Sequence, residues 1–445
     1  MNRKLSPVQG LKARKAAWEV IQAVGGGVFA DVALERIFSL YSFKSIDKAL
    51  ITELSYGAIR QRYFLDCWID FLGKVSAKKQ PPLLRWVLHL GMYQILKMER
   101  IPPSAAISTT VELVKTNHLA KLAPVVNGIL RSALRSKESG ITLPKSNNLS
   151  LELAKNESLP VWLADELIIW RGVEDAYKLA RTFNTISPID IRVNKLRADL
   201  KEIKKIFDTC GIENQIIPNC PYGLEIPAGI GEPKKWPGYD EGKWSVQDRS
   251  SQLIAPFLDA LPGEKILDAC AAPGGKSTHI AELINNQGEI WSVDRSFRRA
   301  QKILANSERL GTTCLQLLVA DSNKLLDKHP EWKNYFDRIL IDAPCSGLGT
   351  LSRHPDARWR MNKENIQKLV VIQSQLLKSL NALLKKGGKL VYSTCTIHPD
   401  ENFNQIKNFL KMVPEFLLEY EKQIWPGEED NGDGFYLAVL RKSLH

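Results

Sequence analysis

The chain is poor in the features that mark membrane, secreted or zinc proteins. Its 445 residues hold seven cysteines (Cys67, Cys210, Cys220, Cys270, Cys314, Cys345 and Cys395), scattered and without a single C-x-x-C pair. That spacing argues against a structural zinc site and a disulfide framework, and no metal is expected. No apolar run is long enough to span a bilayer. The opening MNRKLSPVQG is basic but is not followed by the apolar core of a signal peptide. Lipidation signals, basic amphipathic helices, internal repeats and low-complexity segments do not stand out. A cytoplasmic protein without a membrane partner is expected, with two or three domains, because 445 residues exceed one compact core. Taken singly, Cys67, Cys210, Cys220 and Cys314 read as small buried hydrophobes.

What is present is unevenly placed. The net charge is +12, and residues 1–140 hold 21 Lys/Arg against 10 Asp/Glu, leaving 40 against 39 for the rest. A surplus of positive charge confined to one region is an electrostatic footprint for a polyanion. The same region reads as all-helical: Leu84, Val87, Leu88, Gly91 and Ile95 recur at helical spacing, as do Val126, Ile129, Leu130 and Leu134, and no strand-like alternation competes. Residues 141–165 are polar and broken by prolines and read as a linker. A small α+β segment is expected over 166–245, with a helix around VWLADELIIWRG, a strand at DIRVNKL and an amphipathic helix, LKEIKKIFDTCG, closed by Gly211.

From residue 246 to 445 apolar strands alternate with helices, which predicts an α/β domain with a mostly parallel, Rossmann-like sheet covered on both faces. In such sheets ligands bind beyond the carboxyl ends of the strands. Those ends are where the polar residues fall. Asp268, Asp294, Asp321 and Asp342 close four successive strands, and Cys395 closes a fifth. Gly274 and Gly275 follow the first strand in DACAAPGGKS and would let a ligand approach the backbone. Asp294, about 20 residues on, suits ribose hydroxyls, and Asp321 the adenine amino group. The end of this turn, GGKS, also matches a phosphate-binding P-loop. That motif needs glycine where Cys270 stands, and neighbouring acids oppose a phosphate. A sulfonium nucleoside such as S-adenosylmethionine tolerates acidic surroundings and fits better.

Cys345 and Cys395 lie 50 positions apart, yet adjacent strands would bring them to one rim. Two thiols beside a methyl donor suggest covalent catalysis on a pyrimidine. A thiolate that adds at carbon 6 makes carbon 5 nucleophilic, and after methylation the carbon-5 proton must leave. Asp342 beside them is placed to hold N3 as charge develops there, and Lys276 would favour a thiolate. On residue type and spacing alone either thiol can be the nucleophile.

DACAAPGGKS, DAPCSGLGTLSRHPDARW and STCTIHPDEN resemble the motifs of the RNA cytosine-C5 methyltransferases of the Sun/Nop type. Together they run through the whole C-terminal domain. HLGMYQILKMERIPPSAAISTTVELVK and VNGILRSALR are similar to a NusB-type RNA-binding domain. The resemblance implies a class I fold that binds S-adenosylmethionine through Cys270, Ala271, Ala272, Pro273, Gly274, Gly275, Lys276, Asp294, Asp321 and Asp342. It implies Cys395 as nucleophile and Cys345 as the thiol that assists product release. The NusB-like half implies small-subunit (16S) ribosomal RNA as the partner, and a monomer is expected. Two positions depart from the family pattern: Phe403 follows Asn402, and Ser352 precedes Arg353. A noncatalytic RNA-binding factor with a relic cofactor fold is the rival from another class, and the intact thiols and acids oppose it.

Overall fold

The computed structural model describes residues 10–428 and 432–444, so the opening residues read for a signal peptide lie largely outside the described ones. It divides into two compact units. One runs to Thr185 and takes in His354–Arg360; the other holds Ile186–Arg353 and the chain from Met361 onward.

The first unit is helical, as the apolar spacing predicts. Leu84, Val87, Leu88 and Ile95 on helix Pro82–Lys97 are buried together with Val126, Ile129 and Leu130 on helix Ala123–Glu138. Gly91 shows how tightly these helices pack. A methyl group there would meet Leu130 at 2.9 Å and Thr110 at 3.0 Å, so any larger residue would have to push those side chains aside. Burying each such leucine or isoleucine stabilises the unit by roughly 1.5–3 kcal/mol.

Two boundaries differ from the sequence expectation. The 141–165 linker contains a helix, Leu149–Glu157, whose first turn is capped by the Asn148 side chain accepting from Leu151 N–H, and it also takes in the start of helix Val161–Thr182. Both helices belong to the helical unit, with Leu153, Ala154, Leu163 and Leu167 fully buried, so their apolar faces outweigh the polar composition that suggested a linker. Helix Val161–Thr182 is broken at Gly172, whose φ of 74° lies outside helical space. The second difference is that residues 354–360, assigned by position to the catalytic domain, are part of the helical unit. Arg358 is fully buried and donates to the carbonyls of Ser158 and Phe183 and to Asn184 Oδ1, while Trp359 Nε1 donates to Ile59 O at 2.6 Å.

The second unit carries two sheets. The smaller is antiparallel, in the order β2–β3–β1–β4, from β1 (Ile189–Val193), β2 (Gln215–Ile216), β3 (Gly223–Ile226) and β4 (Trp244–Val246). The larger has seven strands: β5 (Lys265–Asp268), β6 (Glu289–Asp294), β7 (Leu315–Val319), β8 (Phe336–Asp342), β9 (Leu384–Thr394), β10 (Phe416–Ile424) and β11 (Phe435–Lys442). Their order is β10–β11–β9–β8–β5–β6–β7, parallel from β9 to β7, with β10 and β11 antiparallel at one edge. This is the Rossmann-like architecture expected, with an antiparallel edge hairpin that the sequence reading did not identify.

The central strands carry apolar side chains on both faces because they feed two cores. Leu267, Ile339, Ile341, Leu390 and Tyr392 pack on one face with Leu376, Leu377 and Leu380 of helix Lys363–Leu380. Ile266, Leu340 and Val391 point the other way, toward Ile280, Ala281 and Ile284. Alternation along each strand thus serves both layers, and the polar residues are left at the strand ends.

Candidate active site

Asp268, Asp294 and Asp342 are the last residues of β5, β6 and β8, and Cys395 directly follows β9. Asp321 lies two residues beyond β7, where its Oδ1 accepts from Asn323 N–H at 3.0 Å and caps a short turn. Cys270, Ala272, Asp294, Asp321, Asp342, Cys345 and Cys395 together line one cleft of about 250 Å³. The thiols expected to meet do so, with Cys345 Sγ 3.3 Å from Cys395 Sγ.

Lys276, on helix Gly275–Leu283, does not line the cleft but bonds Asp342, which does. Its Nζ donates to Asp342 Oδ2 at 2.7 Å, while Ser393 Oγ donates to Asp342 Oδ1 at 2.9 Å. Burial favours the neutral amine, but Asp342, Cys395 and Asp268 outweigh it and hold Lys276 protonated. The Cys345 thiol is pushed well up, first by its hydrogen bond to Cys395 and then by burial. Cys270, the third thiol of the cleft, is also pushed up, by burial and then by Asp268, Asp342 and Asp294, which leaves it a poor nucleophile. Burial raises Asp268 to about 7, although Ser277 Oγ donates to it at 2.6 Å.

The remaining residues of the turn stand behind the cleft. Ala271 packs with Ala272 on Ile303, and Ala271, Pro273, Gly274 and Gly275 are not among the lining residues. Gly274 answers to the fold: its φ is 99°, and a methyl group there would come within 3.1 Å of Ile303 Cα. Arg295, Arg299, Ser322, Asn323, Ile372 and Leu376 line the cleft without having been singled out in the sequence. Arg299 Nη2 donates to Ala272 O at 2.8 Å and lies 3.6 Å from Asp294 Oδ2. On a helix such a residue reads as part of a solvated face, and only the fold aims it at the turn.

An adenosyl sulfonium fits this set of groups. The acids could accept from ribose hydroxyls and an adenine amino group and suit a cation, and Ala320, Ile372 and Leu376 offer apolar walls for a purine. Among the described residues no group of three or more His, Cys, Asp or Glu is arranged to hold a metal ion, and no helix is long and apolar enough to cross a membrane.

Comparison with known proteins agrees with this geometry. The sequence model of the family described as 16S rRNA methyltransferase RsmB/F matches residues 255–441, and that of the NusB family matches residues 11–135. The probable ribosomal RNA small subunit methyltransferase B of Synechocystis sp. is 36% identical over 449 residues, covering 97% of this chain and all of that protein. The protein of the same designation from Bacillus subtilis is 33% identical, covering 93% and 95%. The crystal structure of PH0851 superposes with a TM-score of 0.83 at 27% identity, covering 99% of this chain and 100% of that one. A methyltransferase homolog protein from Pyrococcus horikoshii covers 67% of this chain at a TM-score of 0.59 and 27% identity.

Proposed function

Because the chain belongs to the RsmB/F family of 16S rRNA methyltransferases, we propose that its two cleft thiols act in turn on one cytosine of 16S ribosomal RNA. Membership makes the protein an rRNA cytosine-C5 methyltransferase that uses S-adenosylmethionine. The observation that carries the covalent reading is the 3.3 Å approach of Cys345 and Cys395 on the wall of the acid-rimmed cleft.

In this scheme Asp294 and Asp321 hold the donor's ribose and adenine, with the turn from Cys270 to Lys276 alongside. The bound donor supplies an electrophilic methyl group. Cys395 sulfur bonds to carbon 6 of the cytosine, and the electrons of the C5–C6 double bond move toward carbon 5 and N3. Lys276, hydrogen-bonded to Asp342, supplies a proton to N3 through that carboxyl group as negative charge gathers there. Once carbon 5 carries the methyl group its proton departs. The C–H electrons restore the double bond, and the sulfur–carbon bond breaks to free Cys395. Cys345, next to that sulfur, takes the carbon-5 proton as it passes its own proton to the departing Cys395 sulfur. The division of labour follows the family motifs, with the attacking sulfur in STC and the assisting one in PCSG. A target base in a helix would have to be unpaired or flipped out to reach the thiols. One chain supplies every group named, so a monomer is sufficient, and a ribosomal substrate places the work in the cytoplasm.

Bisulfite mapping of ribosomal RNA from a deletion strain tests the substrate. One protected cytosine in 16S RNA is expected to become convertible, and restored on complementation. Loss of protection only in transfer RNA or DNA would refute the ribosomal reading. The basic helical unit is assigned the RNA backbone. A groove between helices Pro103–Thr116 and Ala123–Glu138 is lined by Lys115, Arg131 and Arg135 beside Ser104, Ser108 and Asn127. The paired charge reversal Arg131→Glu with Arg135→Glu is expected to weaken RNA binding and to reduce the slope of log K against log salt by roughly two. An unchanged slope in a filter-binding titration would remove this groove from the RNA path.

A further inference from the structure

Glu401 and Asn402 are not among the residues lining the cleft, yet they bind both loops that carry its thiols. Glu401 is fully buried at the end of the short turn Pro399–Glu401. Its Oε1 accepts from Ser346 N–H at 2.9 Å and its Oε2 accepts from the Ser346 hydroxyl. Gln373 Nε2 donates to the same Oε1 at 3.0 Å and also to Pro344 O at 3.0 Å. The residues on both sides of Cys345 are therefore fixed from one direction. Asn402 treats Cys395 the same way: its Oδ1 accepts from Thr394 Oγ1 at 2.6 Å and its Nδ2 donates to Thr396 O at 2.9 Å. A hydrogen bond of 2.7 Å between Ser346 Oγ and Thr396 Oγ1 joins the two halves.

Enclosing a carboxylate in the interior is costly unless donors surround it. Burial pushes the Glu401 carboxyl up, and the donors from Ser346, Gln373 and Thr396 pull against that. A plain structural tie between two loops would not need its bonds distributed so evenly about two sulfur atoms. Reacting groups tolerate little misplacement, since about 1 Å can cost 10²-fold in rate.

We propose that Glu401 and Asn402 form a clamp that positions the two thiols separately, Glu401 setting Cys345 and Asn402 setting Cys395. This rests on the reading that the thiols act in turn. Both are positioning residues, and their loss falls on different steps of one turnover.

The test is single-turnover reaction of the full chain with an RNA substrate and S-adenosylmethionine, following the covalent RNA adduct on denaturing gels. Glu401→Ala is expected to slow release at least tenfold while adduct formation changes less than threefold. Glu401→Gln keeps an acceptor for Ser346 N–H and Gln373 and is expected to bring release back to within threefold of the parent. Asn402→Ala is expected to show the reverse split, with adduct formation slowed at least tenfold. Equal slowing of both steps in Glu401→Ala, or failure of Glu401→Gln to rescue, overturns the clamp. If Glu401→Ala does not melt cooperatively, Ser346→Ala replaces it, since it removes only the hydroxyl; selective slowing of release by at least threefold supports the clamp and equal slowing refutes it. Cys345→Ala is run in parallel. Adduct accumulation there but not in Glu401→Ala removes the clamp alone, whereas no accumulation in either removes the two-thiol reading and the clamp with it.

Discussion

Cys395→Ser is expected to lower methyl transfer by about 10⁴-fold or more while the Kd for S-adenosylmethionine stays within about twofold. A serine hydroxyl is not ionised near neutral pH, so addition to carbon 6 loses its nucleophile, and no other step can activate carbon 5. Cys270 cannot replace it, because burial and three nearby acids keep that thiol protonated. Donor binding survives because Asp294, assigned to the ribose, sits across the sheet: β8 and β5 separate β9, which leads into Cys395, from β6, which ends on Asp294. Transfer of tritiated methyl groups and calorimetric titration of the donor measure the two quantities. A fall in donor affinity as large as the fall in activity would mean that residue 395 belongs to the donor pocket and is not the nucleophile.

The part of this site that was legible in the sequence is the part that strand geometry controls. Asp268, Asp294 and Asp342 could be placed because an apolar run must stop where its polar residue reaches the sheet edge, and a parallel sheet sends all those edges the same way. Cys345 and Cys395 could be expected to meet because β8 and β9 are adjacent, and they are, paired in register from Arg338 with Lys389 to Asp342 with Ser393. Four things escaped for physical reasons. The edge hairpin β10–β11 pairs Phe416–Ile424 with a run rich in buried side chains, but strand order across a sheet is not written in either strand. Residues 354–360 sit inside a run of catalytic motifs, yet Arg358 and Trp359 find their hydrogen-bond partners among helices far away in the chain, at Ile59, Ser158, Phe183 and Asn184. Glu401 lies within the STCTIHPDEN motif, but its carboxylate is bound by Ser346, 55 positions earlier, which no local pattern links to it. Cys210 was expected to be buried and is exposed just past helix Leu200–Thr209, because a lone small residue at a helix end carries no periodic signal.

Cys345→Ala is expected to leave the enzyme covalently joined to its RNA, with release slowed by at least about 10²-fold. Addition by Cys395 does not require the second thiol, so RNA should be captured and methylated. Departure of the carbon-5 proton does require help, because carbon–hydrogen cleavage without a positioned group is slow. The hydrogen bond to Cys395 and burial raise the proton affinity of Cys345, and Cys345 lies 3.3 Å from the sulfur that must be freed. Alanine keeps the backbone, so the Ser346 N–H bond to Glu401 is retained while the sulfur alone is lost. The expected product is a band that migrates as protein plus RNA under denaturing conditions and carries the labelled methyl group. The double variant with Cys395→Ser should give no such band, since its formation needs the attacking sulfur. A shifted band that survives in the double variant would mean that another residue bonds to the RNA, and the absence of any band in Cys345→Ala would mean that release does not depend on this thiol.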